Sequence, residues 1–313
     1  MLGKTAGGLY WMFRFLERSE NTARLLEAGF RMALTRSKDT ESEWKSVVAT
    51  SGAQAGYSKK YDSFTDLQVI DYLLRDEDNP SSVISVTGAA RDNARLVRTA
   101  LTTEVWEAVN DNWMTLRDHL SEPVTPIDLP ATLALIRKQS ALVRGALYGT
   151  MLRNDIYDFA RIGTFIERAD NTARIIDVKY YTLLPSASSV GSSLDNVQWE
   201  MILRSVSAHR CFRWLDEQEM TATAIAEFLL FDKRLPRSLA FCVKQTTENL
   251  AYLADEYDMR HRSHDMADRM RRRLKSGTIN EVFDTGLHEY ISGFIRDNNT
   301  LAAQIEEDYR FIG

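Results

Sequence analysis

Residues 17–24, ERSENTAR, return 150 positions later as ERADNTAR at residues 167–174. Six of the eight positions are identical, and the other two exchange Ser19 for Ala169 and Glu20 for Asp170. Each string lies inside a long run with apolar residues at i, i+3, i+4 and i+7, the period of an α-helix that turns a face into a core. In the first run Met12, Leu16, Ala23, Leu26, Phe30 and Ala33 form one stripe, widened by Phe15 and Leu25. In the second, Ile162, Ile166, Ala169, Ala173, Ile176 and Tyr180 do the same, widened by Phe165 and Ile175. A helix apolar around so much of its circumference is expected to be mostly buried.

One narrow polar line interrupts each of these helices. Glu17, Asn21 and Arg24 are spaced i, i+4, i+7, and Glu167, Asn171 and Arg174 repeat them. Beside that line Glu20–Arg24 and Asp170–Arg174 stand at i, i+4 with the acid first, the favourable order on a helix. Arg18 and Arg168 fall about a quarter turn or more away at ~100° per residue. Two readings stay open. The residues are ion pairs that fix the packing of two helices, since charges buried unpaired would cost several kcal/mol. Alternatively they line a shared cleft whose carboxylates and guanidiniums hold a polar ligand such as a peptide, an amino acid or a phosphorylated group.

The repetition extends beyond the opening string. Trp44 in SEWKSVV matches Trp199 in VQWEMIL at an offset of 155 residues. TDLQVIDYLLRDEDNPSSV, from Thr65, matches TATAIAEFLLFDKRLPRSL, from Thr221, at an offset of 156, and Asn93 falls on Asn249 at that same offset. Two homologous halves, 1–150 and 151–313, are therefore expected, each of about five helices, joined in one all-α body with pseudo-twofold symmetry. Thr65 and Thr221 are expected N-caps, and Pro80 and Pro236 are expected at the first helical position of the following helix. The stretches 121–130 and 185–193 read as loops.

Composition narrows the function classes. A net charge of −5 over 313 residues argues against a dedicated nucleic-acid binder, and the basic run at 269–275 reads as a solvated helix face. Two cysteines, Cys211 and Cys242, far apart and outside any CxxC spacing, exclude a disulfide framework and a cysteine-built zinc site. With no long apolar segment and no leader-like N-terminus, a cytoplasmic protein is expected. The GKT at residues 3–5 lacks P-loop glycine spacing and a preceding strand, so no nucleotide cofactor is assigned to it. His261 and His264, at i, i+3 in DMRHRSHD, read as part of an exposed polar face rather than a metal site. NPSSV and LPRSL, around Ser81–Ser82 and Arg237–Ser238, place helix-start N–H groups and hydroxyls where an anion could bind, with Arg237 assisting, although simple helix initiation explains both strings as well.

On these strings the chain resembles the alpha-E family, all-helical bacterial proteins named for a Glu-Arg motif. LYWMFRFLERSENTARLL is similar to the family's opening, and IGTFIERADNTARIIDVKYYTLLP to its central segment. QWEMILRSVSAHRCF, NPSSVISVTGAARDNARLVR, TTEVWEAVN and LPRSLAFCV also resemble family segments, in family order. The resemblance implies company with an ATP-grasp protein and a transglutaminase-like protein, in a system that makes, attaches or trims a peptide. It assigns no reaction to the helical protein itself. Taken with the polar lines and the helix starts, it points to a helical component that binds a partner or polar peptide-like ligand through Glu17, Arg18, Asn21, Arg24, Glu167, Arg168, Asn171, Arg174, Arg237 and Ser238. The alternative is a peptide-modifying transferase or hydrolase with Glu17 or Glu167 as acid/base.

Overall fold

The helical period is realised along the chain. The computed structural model describes residues 1–35, 40–182, 193–215 and 220–311, and among them every regular element is helical. In chain order these are α1 (Gly3–Thr35), α2 (Thr40–Ser51), α3 (Gln54–Lys60), α4 (Asp66–Leu74), α5 (Val83–Leu96), α6 (Thr103–His119) and α7 (Leu129–Thr150). There follow α8 (Asp155–Thr182), α9 (Ser193–Ser205), α10 (His209–Arg213), α11 (Ala222–Phe231), α12 (Leu239–Tyr257), α13 (Arg262–Ser276), α14 (Ile279–Thr285) and α15 (Leu287–Asp308). More helices are present than the ten expected. The short ones, α3, α10 and α14, span two turns or fewer, too little for hydrophobic periodicity to register.

Helix starts follow local chemistry. The Thr65 side chain accepts from the Gln68 amide and Thr221 from that of Ala224, so both threonines cap as the sequence predicts. Pro80 and Pro236, however, do not open their helices. Each sits in a turn closed by a serine amide, Ser82 to the Asn79 carbonyl and Ser238 to that of Leu235, both at 3.0 Å. The serine then caps, Ser82 accepting from Ser85 and Ser238 from Phe241. A serine oxygen supplies a lone pair to an otherwise unpartnered amide, which a proline ring cannot do, so the cap position decides the boundary. The expected loop at 121–130 ends early because Pro130 is already in the first turn of α7. The second expected loop, 185–193, lies outside the described residues except for Ser193, which begins α9.

Two long helices make the centre. α1 packs along α8 and is flanked by α5 and α7, while α8 is flanked by α12 and α15. α6 bridges α5 and α7, and α13 bridges α12 and α15. Met12, Leu16, Ala23 and Leu26 on α1, and Ile162, Ile166, Ala169, Ala173 and Ile176 on α8, are buried as their stripe requires. Phe30 and Ala33 are half-buried towards the end of α1. Gly163 lets the two axes approach: a Cβ there would collide with the Tyr10 carbonyl. Trp44 and Trp199 are both buried.

Two polar segments are placed differently from one another. Arg269, Arg271, Arg272, Arg273 and Lys275 are exposed on α13 while Met270 and Leu274 face inward, as a solvated basic face requires. His264, expected on an exposed face, is buried. Its Nδ1 takes the His261 amide at 2.9 Å and its Nε2 lies 2.9 Å from the Leu250 carbonyl, so it closes the start of α13 against α12. Among the described residues, no helix is long and apolar enough to cross a membrane.

A polar seam and cleft between the two central helices

The two ER strings meet across the α1–α8 contact. Arg168 grips Glu17 with both arms, Nε to Oε1 at 2.9 Å and Nη2 to Oε2 at 2.8 Å. Arg18 grips Glu167 the same way, Nε to Oε1 at 2.5 Å and Nη2 to Oε2 at 3.0 Å. Each glutamate thus pairs with the arginine that follows the other glutamate in sequence. Parallel two-point bonding of this kind is the strong geometry for a guanidinium and a carboxylate, because both hydrogen bonds are charge-assisted and directional. The helix-wheel expectation that Arg18 and Arg168 point away from the polar line is corrected here. A wheel places a Cβ, whereas the long arginine side chain reaches around to the neighbouring helix.

A second guanidinium completes each pair. Arg237, at the turn before α12, reaches Glu17 Oε1 at 3.0 Å, Glu20 Oε1 at 2.8 Å and Asn21 Oδ1 at 3.0 Å. Arg14, one turn before Arg18, donates to Glu167 Oε2 at 3.0 Å and lies over the Trp11 ring. Glu20 is further held by Arg24 (Nε to Oε1, 3.0 Å) and by Arg144 of α7. Asp170 is held by Arg174 (Nε to Oδ2, 2.6 Å), the i, i+4 pair that the spacing predicts.

The electrostatics follow from this crowding. Burial pushes the Glu17 carboxyl upward, but Arg168 and Arg237 outweigh it and hold the group far below the ordinary carboxylate range. Glu167 is also lowered, burial being overcome by Arg18 and Arg14. Burial pulls the Arg237 guanidinium down, opposed by Glu17. The ionised state of both glutamates is therefore fixed, and their lone pairs are spoken for. A carboxylate in that condition is a poor proton acceptor.

The Glu17 side is sealed. Glu17, Glu20, Asn21, Arg168 and Arg237 are all buried. Arg237 and Ser238 turn into the fold instead of presenting an anion site, with Ser238 Oγ donating to the Asp232 carbonyl at 2.5 Å while accepting from Phe241. The Glu167 side is open. There a cleft of about 230 Å³ is lined by Arg18, Asn21, Thr22, Glu167, Asp170, Asn171 and Arg174, together with Ser51, Gly52 and Ser81. Asp170 Oδ1, Asn171 Nδ2 and Asn21 Nδ2 are buried there with no hydrogen-bond partner among the described residues. Buried polar atoms in folded proteins nearly always have partners, ordered water included, so these three atoms call for a water or another polar group beside them.

Of the residues singled out in sequence, Arg18, Asn21, Glu167, Asn171 and Arg174 line this cleft; Glu17, Arg168, Arg237 and Ser238 do not, and Arg24 joins Glu20 to Ser207. Arg14 and Arg144 were missed, whereas Ser81, singled out in sequence as part of a helix start, lines the cleft. Arg14 is one turn from Arg18 on the same face, a signal that spacing alone could have supplied. Arg144 arrives from α7 and carries none. Among the described residues, no three His, Cys, Asp or Glu side chains gather as metal ligands.

The chain belongs to the Alpha-E family: the family model, described as a predicted alpha-helical domain with a conserved ER motif, matches residues 1–310. It is similar to an uncharacterized protein of Mycobacterium bovis, 27% identical over 300 residues that cover 88% of this chain and 32% of the relative. An uncharacterized protein of Mycobacterium tuberculosis matches with the same identity and coverage. The chain thus spans about a third of the length of the curated relatives it matches. No solved structure matches it.

Proposed function

We propose that this Alpha-E chain is the helical, ligand-presenting component of a cytoplasmic system that makes or modifies a peptide together with an ATP-grasp protein and a transglutaminase-like protein. In this reading the ER helices have two tasks. The sealed Glu17 side locks α1 to α8, and the open Glu167 side holds a polar, peptide-like segment or a partner's loop. The halves 1–150 and 151–313 are the products of an internal duplication, packed about a pseudo-twofold axis between α1 and α8. The reciprocal Glu17–Arg168 and Glu167–Arg18 pairs support that relation, since a two-fold contact brings each residue to its counterpart's partner.

The observation that carries the reading is the cleft over Glu167, where charged groups of both signs stand beside three unpartnered buried polar atoms. A peptide segment, with an N–H donor and a C=O acceptor at each residue, needs that mixture of donors and acceptors. The alternative, acid/base chemistry at Glu17 or Glu167, finds less support in the geometry, because two guanidiniums already saturate each carboxylate.

Co-purification tests the proposal. The chain is produced with the ATP-grasp and transglutaminase-like proteins from the same genome, with peptide substrates present. Association at micromolar concentration is expected, and Asn171→Trp, which fills the cleft from its edge, should abolish it without lowering the melting temperature. Absence of association, or association indifferent to the cleft-filling change, would sink the idea.

A further inference from the structure

We infer that the cleft over Glu167 is a guanidinium site, built to take an arginine side chain or another guanidino compound in the position that Arg237 occupies on the opposite side. This rests on the duplication proposed above, which sets residues 79–83 against residues 235–239. In the second half that turn carries Arg237; in the first, the matching residue is Ser81. Both turns have the same closure, a serine amide to a carbonyl three residues back at 3.0 Å, and the same serine cap. The two turns thus close and cap alike, and where the second half carries the Arg237 guanidinium the first carries only the Ser81 hydroxyl.

The consequences are visible in the two acid pairs. Four guanidiniums surround Glu17 and Glu20, from Arg24, Arg144, Arg168 and Arg237. Three surround Glu167 and Asp170, from Arg14, Arg18 and Arg174. On the sealed side Arg237 spans Glu17, Glu20 and the Asn21 amide oxygen. The matching trio on the open side is Glu167, Asp170 and Asn171, and all three line the cleft with Ser81; Arg14 already gives Glu167 its second guanidinium, so the unfilled place is the one beside Asp170 and Asn171. Asp170 Oδ1, an acceptor with no hydrogen atom to give, is buried there without a donor among the described residues. Asp170 is one methylene shorter than Glu20, and the cleft of about 230 Å³ lies beside it. A planar guanidinium with five N–H donors matches a carboxylate beside an amide oxygen better than an ammonium does.

The probes are agmatine, the tripeptide Gly-Arg-Gly and the tripeptide Gly-Lys-Gly, titrated into the full chain by calorimetry and by thermal shift at low ionic strength. Saturable binding of a guanidino probe is expected, with Gly-Lys-Gly about tenfold weaker or worse. Equal affinity for agmatine and Gly-Arg-Gly identifies a free guanidino compound as sufficient; binding of the tripeptide alone identifies peptidyl arginine. Ser81→Arg supplies the missing group from within, so it should raise the melting temperature and abolish binding. Asp170→Asn, a milder change, should weaken binding about tenfold while the fold is kept. The inference is overturned if neither guanidino probe saturates, or if binding survives both variants. Should the probes fail while the ATP-grasp protein still associates and Asn171→Trp blocks it, the cleft reading stands and only the guanidinium assignment falls.

Discussion

Replacing Glu17 by Gln keeps the side-chain volume and removes the charge that Arg168 and Arg237 share. Glu17 is 2% exposed, and its partner side chains are 10% and 7% exposed, so water cannot replace the lost carboxylate. Breaking a buried ion pair in this way costs about 3–5 kcal/mol, mostly because a charge is left unpaired in a poorly solvating place. Glu167→Gln meets a different situation: Arg18 is 28% exposed and can turn to solvent, and Arg14, though 9% exposed, keeps the Tyr10 hydroxyl and the Trp11 ring, so a cost of about 1–3 kcal/mol is expected. At roughly 2 °C per kcal/mol for a chain of this size, the melting temperature should fall about 6–10 °C for Glu17→Gln and about 2–6 °C for Glu167→Gln. Scanning calorimetry and urea unfolding of both variants measure this, and Arg168→Gln on the Glu17→Gln background should cost much less than the sum of the two single changes. Equal losses at the two glutamates, or a Glu17→Gln chain melting with the parent, would refute the division into a sealed and an open side. The pH dependence gives a second check. Both glutamates are held below their unfolded values, so their stabilisation is present above about pH 4.5 and is lost as pH falls through the folded-state values. The parent's melting temperature should therefore drop on acidification more steeply than that of Glu17→Gln.

Three further outcomes are expected. Burial, with Asp155 and Glu256 beside it, pushes the Asp158 carboxyl up to about 7, so the native state holds its proton more tightly than the unfolded chain and stability declines as pH rises from about 4 to 7. Asp158→Asn should then stabilise the protein by on the order of 2 kcal/mol at pH 8 and by almost nothing at pH 4; a gain independent of pH in denaturant titrations would refute this. Cys242 is buried, with its thiol pushed up to about 12, while Cys211 is partly exposed. Mass spectrometry after brief alkylation of the native protein at pH 8 should find Cys211 modified and Cys242 intact. Gly163→Val should cost about 2–4 kcal/mol by forcing α8 off the Tyr10 carbonyl, and urea unfolding indistinguishable from the parent would argue against close packing there.

The sequence by itself determined the helical class, the burial of α1 and α8, the threonine caps and the pairing of Glu20 with Arg24 and Asp170 with Arg174. These are local matters, set by a 3.6-residue period and by side chains one turn apart on the same helix. It also picked out the glutamates, asparagines and arginines of both ER strings. What it left open was whether they are sealed between two helices or line a cleft, and only tertiary structure showed that the Glu17 side is buried and the Glu167 side open. The crossing of α1 and α8, tightened at Gly163, sends Arg18 and Arg168 to the opposite helix, which a single-helix projection has no means of showing. Arg237 and Ser81 arrive from turns more than 55 residues away from the ER string they face. The large side chain fills its side and the small one leaves a cleft, so the difference between seal and cleft is a matter of volume delivered from a distant part of the chain.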